Sequence, residues 1–158
     1  MEQGIVYLKR NRLVELENQL RELKTNERKS IAEKIAEARS HGDLSENAEY
    51  DAAKEAQSHL EMKIGKLEHL LSRVKIIEPE DIPSGEVYIL TDVTVKDAKN
   101  GELVTFTLVS PDEADFELDK ISVFSPLGKS LMGKKPGEVA RVEVPAGVIE
   151  YKIIEIKK

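Results

Sequence analysis

Two consecutive runs decide the fold: NRLVELENQLRELKTNERKSIAEKIAEARS at residues 11–40, then HGDLSENAEYDAAKEAQSHLEMKIGKLEHLLSRV at residues 41–74. The first contains neither Gly nor Pro. Leu13, Leu16, Leu20 and Leu23 follow at steps of 3, 4 and 3; Glu27 interrupts, and Ile31, Ile35 and Ala38 resume the stripe. This is the spacing of a helix with a narrow apolar seam. A second helix is predicted from near Ser45 to about Val74, with Ala53, Ala56, Leu60, Ile64, Leu67, Leu71 and Val74 on its seam. The flanks of both are charged. Two narrow seams with polar backs are best buried against each other, as an antiparallel coiled-coil hairpin. Arms of about 28 residues span roughly 40 Å. Gly65 weakens the second arm by up to about 1 kcal/mol relative to Ala.

The turn between the arms is Ser40-His41-Gly42-Asp43-Leu44-Ser45. Gly42 suits a helix C-terminus because it accepts positive φ without a Cβ clash. Either Asp43 or Ser45 is expected to cap the next helix.

Past Glu78 the period changes to two. Pro79 and Pro83 bound a short acidic linker, and segments at 93–95, 103–109, 121–123, 139–144 and 149–156 read as strands. Asn100-Gly101 marks a hairpin turn. A short helix over Pro126 to Met132 is capped by Ser125 and closed by Gly133. The predicted fold is α+β: a helical hairpin at 1–78, a linker at 79–84, and a small antiparallel sheet with one helix at 85–158.

The whole chain has 158 residues, 34% of them charged and only 4% aromatic, which suits a small core with an extended solvated part. With no cysteine, disulfides and thiolate metal sites are excluded. No apolar run reaches the length of a membrane span, so a soluble cytoplasmic protein is expected. The net charge of −6 argues against free nucleic-acid binding by the whole chain. Its distribution says more. Residues 9–39 hold nine basic and six acidic groups, whereas 40–51 hold Asp43, Glu46, Glu49 and Asp51 with no Lys or Arg.

Four acids at a hairpin turn have an ordinary reading, since acids favour helix N-termini and exposed loops. The alternative is a cation site. Mg²⁺ takes carboxylate oxygens and keeps several waters, so one or two carboxylates suffice when a partner supplies the rest. Asp43 and Glu46 are three apart, and at a helix start both can point one way. Two exposed carboxylates alone bind Mg²⁺ weakly, so the pattern suits delivery to a second protein that already holds metal. His41, His59 and His69 lack zinc-ligand spacing and read as surface residues, with His41 notable for its place at the tip. No phosphate loop, nucleophile elbow or Cys/His arrangement is present. Asp112-Glu113-Ala114-Asp115 reads as a loop.

The run Ile35 to Lys54, with Gly42-Asp43-Leu44-Ser45-Glu46-Asn47-Ala48-Glu49-Tyr50 at its centre, closely resembles the tip of the Gre transcript-cleavage factors. A second block resembles the same family, nearer its GreA type: Asp112 to Phe116, Ile121-Ser122-Val123-Phe124-Ser125-Pro126-Leu127-Gly128-Lys129, and Leu131 to Gly137. The likeness covers nearly the whole chain. It departs at Arg12 and Lys29, where the family has Gly and Pro. The resemblance implies an N-terminal coiled coil and an FKBP-like C-terminal domain. It implies docking on the rim of the RNA polymerase secondary channel, with the hairpin inserted toward the nascent RNA 3′ end. Asp43 and Glu46 then share an Mg²⁺ with the polymerase and stimulate its own hydrolysis of backtracked RNA; the chain itself is not an enzyme. Asn47, Glu49 and Tyr50 then support the tip or contact polymerase and RNA. Arg39 and Lys54 either offset RNA phosphate charge or are plain helix-surface residues. Ser122, Ser125, Pro126, Leu127, Gly128 and Lys129 form the expected polymerase-docking segment.

Two rival functions remain open to the sequence. One is a channel-plugging inhibitor of the same architecture that stimulates no cleavage. The other is a peptidyl-prolyl isomerase or chaperone, whose site would be an apolar cleft rich in aromatics.

Overall fold

A computed structural model of the chain describes residues 2, 4–42 and 47–158, and they divide into two units: residues 11–73, and residues 1–10 joined with 74–158. Among the described residues no helix is long and apolar enough to cross a membrane.

The 11–73 unit is the predicted hairpin. Its first arm is α1 (Arg10–Glu22), a π-helical turn over Leu23–Glu27, and α2 (Arg28–Arg39). Its second arm is α3 (Ala48–Leu71). Leu16, Leu23, Ile35 and Ala38 of one arm and Ala53, Leu60, Ile64 and Leu67 of the other are buried. Lys24 pairs with Glu68 at 3.7 Å and Arg28 with Glu61 at 2.7 Å, so the arms run in opposite directions. The Arg28 guanidinium donates two hydrogen bonds to Glu61, and that contact holds the Glu61 carboxyl below its ordinary pKa and raises that of Arg28.

The π turn has a sequence cause. Continued in 3–4 alternation, the stripe of Leu13, Leu16, Leu20 and Leu23 would reach positions 27, 30, 34 and 37. The apolar residues stand one later, at Ile31, Ile35 and Ala38. A π turn absorbs one extra residue in a helix. The break at Glu27 is therefore a phase correction. The shifted counterpart of position 27 is Arg28, which meets Glu61 across the arms.

The other unit centres on a five-stranded sheet in the order β5-β4-β3-β7-β6. Its strands are β3 (Asp92–Asp97), β4 (Leu103–Val109), β5 (Lys120–Ser122), β6 (Val139–Val144) and β7 (Gly147–Lys157). The five predicted strands all form, and Gly101 turns the β3–β4 hairpin at φ +75°. Three corrections follow. The sheet is mixed, because β5 pairs parallel with β4; the chain returns through the short turns at Pro111–Glu113 and Phe116–Leu118 before pairing. The N-terminus belongs with this unit, since β1 (Val6–Leu8) pairs parallel with β2 (Val74–Ile76), two short strands missed in the sequence. The expected boundary at residue 78 and the linker at 79–84 also shift, because Ile77 and Ile82 are buried in the sheet's core. Both apolar side chains are better placed there than in water.

That core holds Val87, Ile89, Val93, Val95, Leu108, Leu131 and Ile153, all at most 1% exposed. Phe106 meets the Tyr151 ring edge-on at 5.8 Å between centroids. The predicted short helix is α4 (Pro126–Leu131), with Ser125 accepting from the Gly128 N–H at 3.1 Å. Gly128 is buried, and a Cβ there would stand 1.9 Å from the Ser122 carbonyl oxygen. Only glycine lets α4 lie this close to the end of β5.

Two substitutions, one deletion and one insertion test these assignments. Gly128→Ala is expected to destabilise the sheet unit by roughly 3 kcal/mol through overpacking. Gly65→Ala, with nothing within 4 Å of its added Cβ, is expected to stabilise the hairpin by about 0.5–1 kcal/mol. Denaturant unfolding followed by circular dichroism reads both signs. Deleting Asn26 makes the stripe continuous and should leave hairpin stability intact. Inserting one Ala beside it turns Ile31, Ile35 and Ala38 a further ~100° and should cost more than about 2 kcal/mol.

Candidate functional site at the hairpin tip

The site is built from two helix ends. α2 stops at Arg39 with Ser40 as its C-cap, and the His41 N–H donates to the Ala38 carbonyl at 3.2 Å. Gly42 has φ +104°, the left-handed conformation expected of it. Asp43 and Glu46, the predicted metal ligands, lie outside the described residues.

The chain is described again at Asn47, which caps α3. Its Oδ1 accepts from the Tyr50 N–H at 3.0 Å, and its Nδ2 donates to the Ala38 carbonyl at 2.6 Å. This corrects the sequence expectation that Asp43 or Ser45 would cap. Asn caps as well as either, and of the three only its side chain carries an acceptor and a donor on separate atoms, so it caps and reaches the opposite arm at once. α3 starts at Ala48, so Asp43 and Glu46 precede it in the sequence.

Two further contacts join the helix ends. The Arg39 guanidinium lies 5.8 Å from the centroid of the Tyr50 ring. His41 Nδ1 is 2.8 Å from Glu49 Oε2. Glu49 and Asp51 stand in the first turn of α3, where the helix dipole favours negative charge. Asn47, Glu49 and Tyr50 thus come together as tip residues, and Arg39 joins them. Lys54 is exposed one turn beyond Tyr50 on the same face, and its Nζ donates to Gln57 at 2.9 Å. Among the described residues no group of three or more His, Cys, Asp or Glu side chains could hold a metal ion.

The expected docking segment is largely occupied with its own fold. Ser125 Oγ donates to the Ser122 carbonyl at 2.6 Å, and Ser122 Oγ accepts from the Phe124 N–H at 3.1 Å. Gly128 is buried and Leu127 half-buried, which leaves Pro126 and Lys129 exposed. The conspicuous apolar surface precedes them. Phe116 is 91% exposed and Leu118 63% exposed. They are not on a frayed loop: Asp115 Oδ1 accepts from the Glu117 N–H, and the Asp115 and Lys120 backbones bond to each other. In the sequence Phe116 falls within a block that resembles the Gre family. The signal for its exposure was there, an aromatic among Asp112, Glu113, Asp115, Glu117 and Asp119 with no alternating partner.

The sheet unit has a concavity of about 420 Å³ lined by Asp97, Ala98, Lys99, Arg141, Val144, Ala146, Gly147, Val148, Ile149 and Glu150. No aromatic side chain lines it, unlike the cleft expected of a prolyl isomerase.

Comparisons with known proteins agree with the resemblance in the sequence. Residues 6–76 match the family "Transcription elongation factor, N-terminal", and residues 82–158 match "Transcription elongation factor, GreA/GreB, C-term". A transcription elongation factor GreA of Chlorobium phaeobacteroides (strain BS1) is 53% identical over 153 residues, 96% of each chain. That of Chlorobaculum tepidum is 51% identical over 153 residues, again 96% of each. The crystal structure of GreA factor homolog 1 (Gfh1) of Thermus thermophilus is 30% identical, covers 98% of this chain and 99% of that one, and has a TM-score of 0.45. Two domain matches in order and half-identical relatives over nearly the full length place this chain in the GreA/GreB family of transcription elongation factors.

Proposed function

We propose that this chain stimulates the transcript-cleavage activity of RNA polymerase by carrying Asp43 and Glu46 into the secondary channel of a backtracked complex. The observation that supports it best is the construction of the tip. Two helix ends are cross-tied by Asn47, by Arg39 on Tyr50, and by His41 on Glu49, and the acid pair lies in the segment between them. Among the described residues the concavity beside the helix ends, lined by Lys34, Glu37, Ala38, Glu49 and Ala53, is open to solvent, which suits chemistry carried by the partner.

The donor set fits a hard cation: carboxylate oxygens, no thiol anywhere in the chain, and the nearby imidazole of His41 engaged with Glu49. Mg²⁺ is the ion such oxygens hold with one or two carboxylates and a partner's ligands. When shared with the polymerase's carboxylates, it supplies charge neutralisation at the phosphate and a more acidic attacking water. Asp43 and Glu46 contribute ligand oxygens, and Asn47 and Tyr50 hold the base of the segment. Arg39 and Lys54 place positive charge near the tip, suited to the phosphates of displaced RNA. On the sheet unit, exposed Phe116, Leu118, Pro126 and Lys129 are the side chains available for docking.

A halted, backtracked elongation complex supplied with Mg²⁺ tests the reading. Adding the protein should release short 3′ RNA fragments, and Asp43→Asn or Glu46→Gln should cut that stimulation by at least about 100-fold without loss of helicity. Binding without fragment release would identify the chain instead as a channel-plugging inhibitor. Docking is tested separately. Phe116→Ala should leave thermal stability unchanged, because the ring is exposed. It should weaken polymerase binding about 30-fold, the size of a hot-spot truncation, with cleavage recovering at saturating factor.

A further inference from the structure

We propose that Asn47 is a positioning residue: its side-chain amide pins the two helix ends together and so sets the working geometry of the acid-bearing segment, an inference that rests on the cleavage reading above. The argument starts from what a cap requires. An N-cap needs an acceptor, and Asp, Ser and Asn provide it about equally, with Asp further favoured by the helix dipole. Capping alone therefore gives no reason for the amide. What Asn adds is an amide donor on a second atom, separate from the capping oxygen. That donor is used, since Nδ2 reaches the Ala38 carbonyl at 2.6 Å while Oδ1 takes the Tyr50 N–H at 3.0 Å.

Its partner sits at a decisive place. Ala38 is 3% exposed and is the last seam residue of α2. Its carbonyl already accepts from the His41 N–H at 3.2 Å, so the amide takes a second lone pair of a group held by the packed seam. One side chain thus joins residue 38 to residues 47 and 50. Both acids lie in the sequence between the residues it joins.

The other two ties differ in kind. Arg39–Tyr50 and His41–Glu49 depend on charge, and Arg39, His41 and Glu49 are exposed. Such contacts are worth little in water and weaken with salt. The Asn47 bond is neutral and half-buried, so it holds over the range of ionic strength in which a polymerase works. A displacement of about 1 Å at reacting groups can cost on the order of 100-fold in rate.

Asn47→Ser and Asn47→Asp separate the two roles, because each keeps a capping oxygen and neither keeps the separate amide that reaches Ala38: Asp has no donor, and the Ser hydroxyl is a single atom engaged at the cap. Using both separates loss of the donor from added charge. Expected for both are helicity and a hairpin melting temperature close to wild type, polymerase affinity within about two-fold, and cleavage at saturating factor reduced about 10- to 100-fold. The Mg²⁺ concentration for half-maximal cleavage should rise, which a purely structural weakening of the rod would not produce. Wild-type cleavage rates and Mg²⁺ dependence in both variants would overturn the inference while leaving the cleavage reading intact. So would a loss of cleavage that follows hairpin melting or lost polymerase binding in proportion. A wild-type chain that promotes no cleavage would sink the functional reading, and this inference with it.

Discussion

The burial of two narrow apolar seams against each other is the constraint on which the hairpin depends. Neither arm has enough apolar surface to be buried on several sides, and most helical stability in proteins comes from packing an apolar face rather than from propensity. Leu16, Leu23, Ile35 and Ala38 therefore need Ala53, Leu60, Ile64 and Leu67. This makes phase a strict requirement, because a residue rotated off the stripe is exposed. The π turn at Leu23–Glu27 keeps both halves of the first arm on one line, and whatever the tip presents inherits its orientation from that line.

At the end of the seam the forces change character. Ala38 is the last buried residue of α2 and Ala53 the first of α3, and both are small. Beyond them the arms are held by an amide, a cation over a ring, and an imidazole beside a carboxylate. Polar ties suit this place. A bulky apolar closure would need burial that a solvated tip lacks, whereas short directional bonds fix positions without a core. Four acids between residues 40 and 51 would repel one another in isolation, and the helix dipole behind Glu49 and Asp51 and the neighbouring Arg39 guanidinium offset part of that charge.

The sheet unit solves a different problem with ordinary means. A fully buried aliphatic core supports surfaces whose side chains are free for a partner. Ser122, Ser125 and Gly128 spend their hydrogen bonds and their small size on joining β5 to α4. Phe116 and Leu118, held out on a hydrogen-bonded turn, contribute nothing visible to that core.

Much of this was legible in the sequence because it is local and periodic. Steps of three and four gave the hairpin arms, alternation gave the five main strands, Asn100-Gly101 gave their turn, and a long acidic string at the tip pointed to the family. What stayed hidden depends on residues distant in the chain. Val6–Leu8 pairs with Val74–Ile76 across the length of the hairpin, and three residues carry no period strong enough to announce a strand. The parallel edge pairing of β5 follows from how the chain returns, not from its composition. Asn47 replaced Asp43 and Ser45 as the cap because its second bond goes to Ala38, nine residues back. The sequence determined which residues could be helix, strand, turn and acid pair, since those are properties of neighbours; the tertiary structure decided where the seam is corrected, which end the N-terminus joins and what ties the tip, since each of these requires two segments to meet in space.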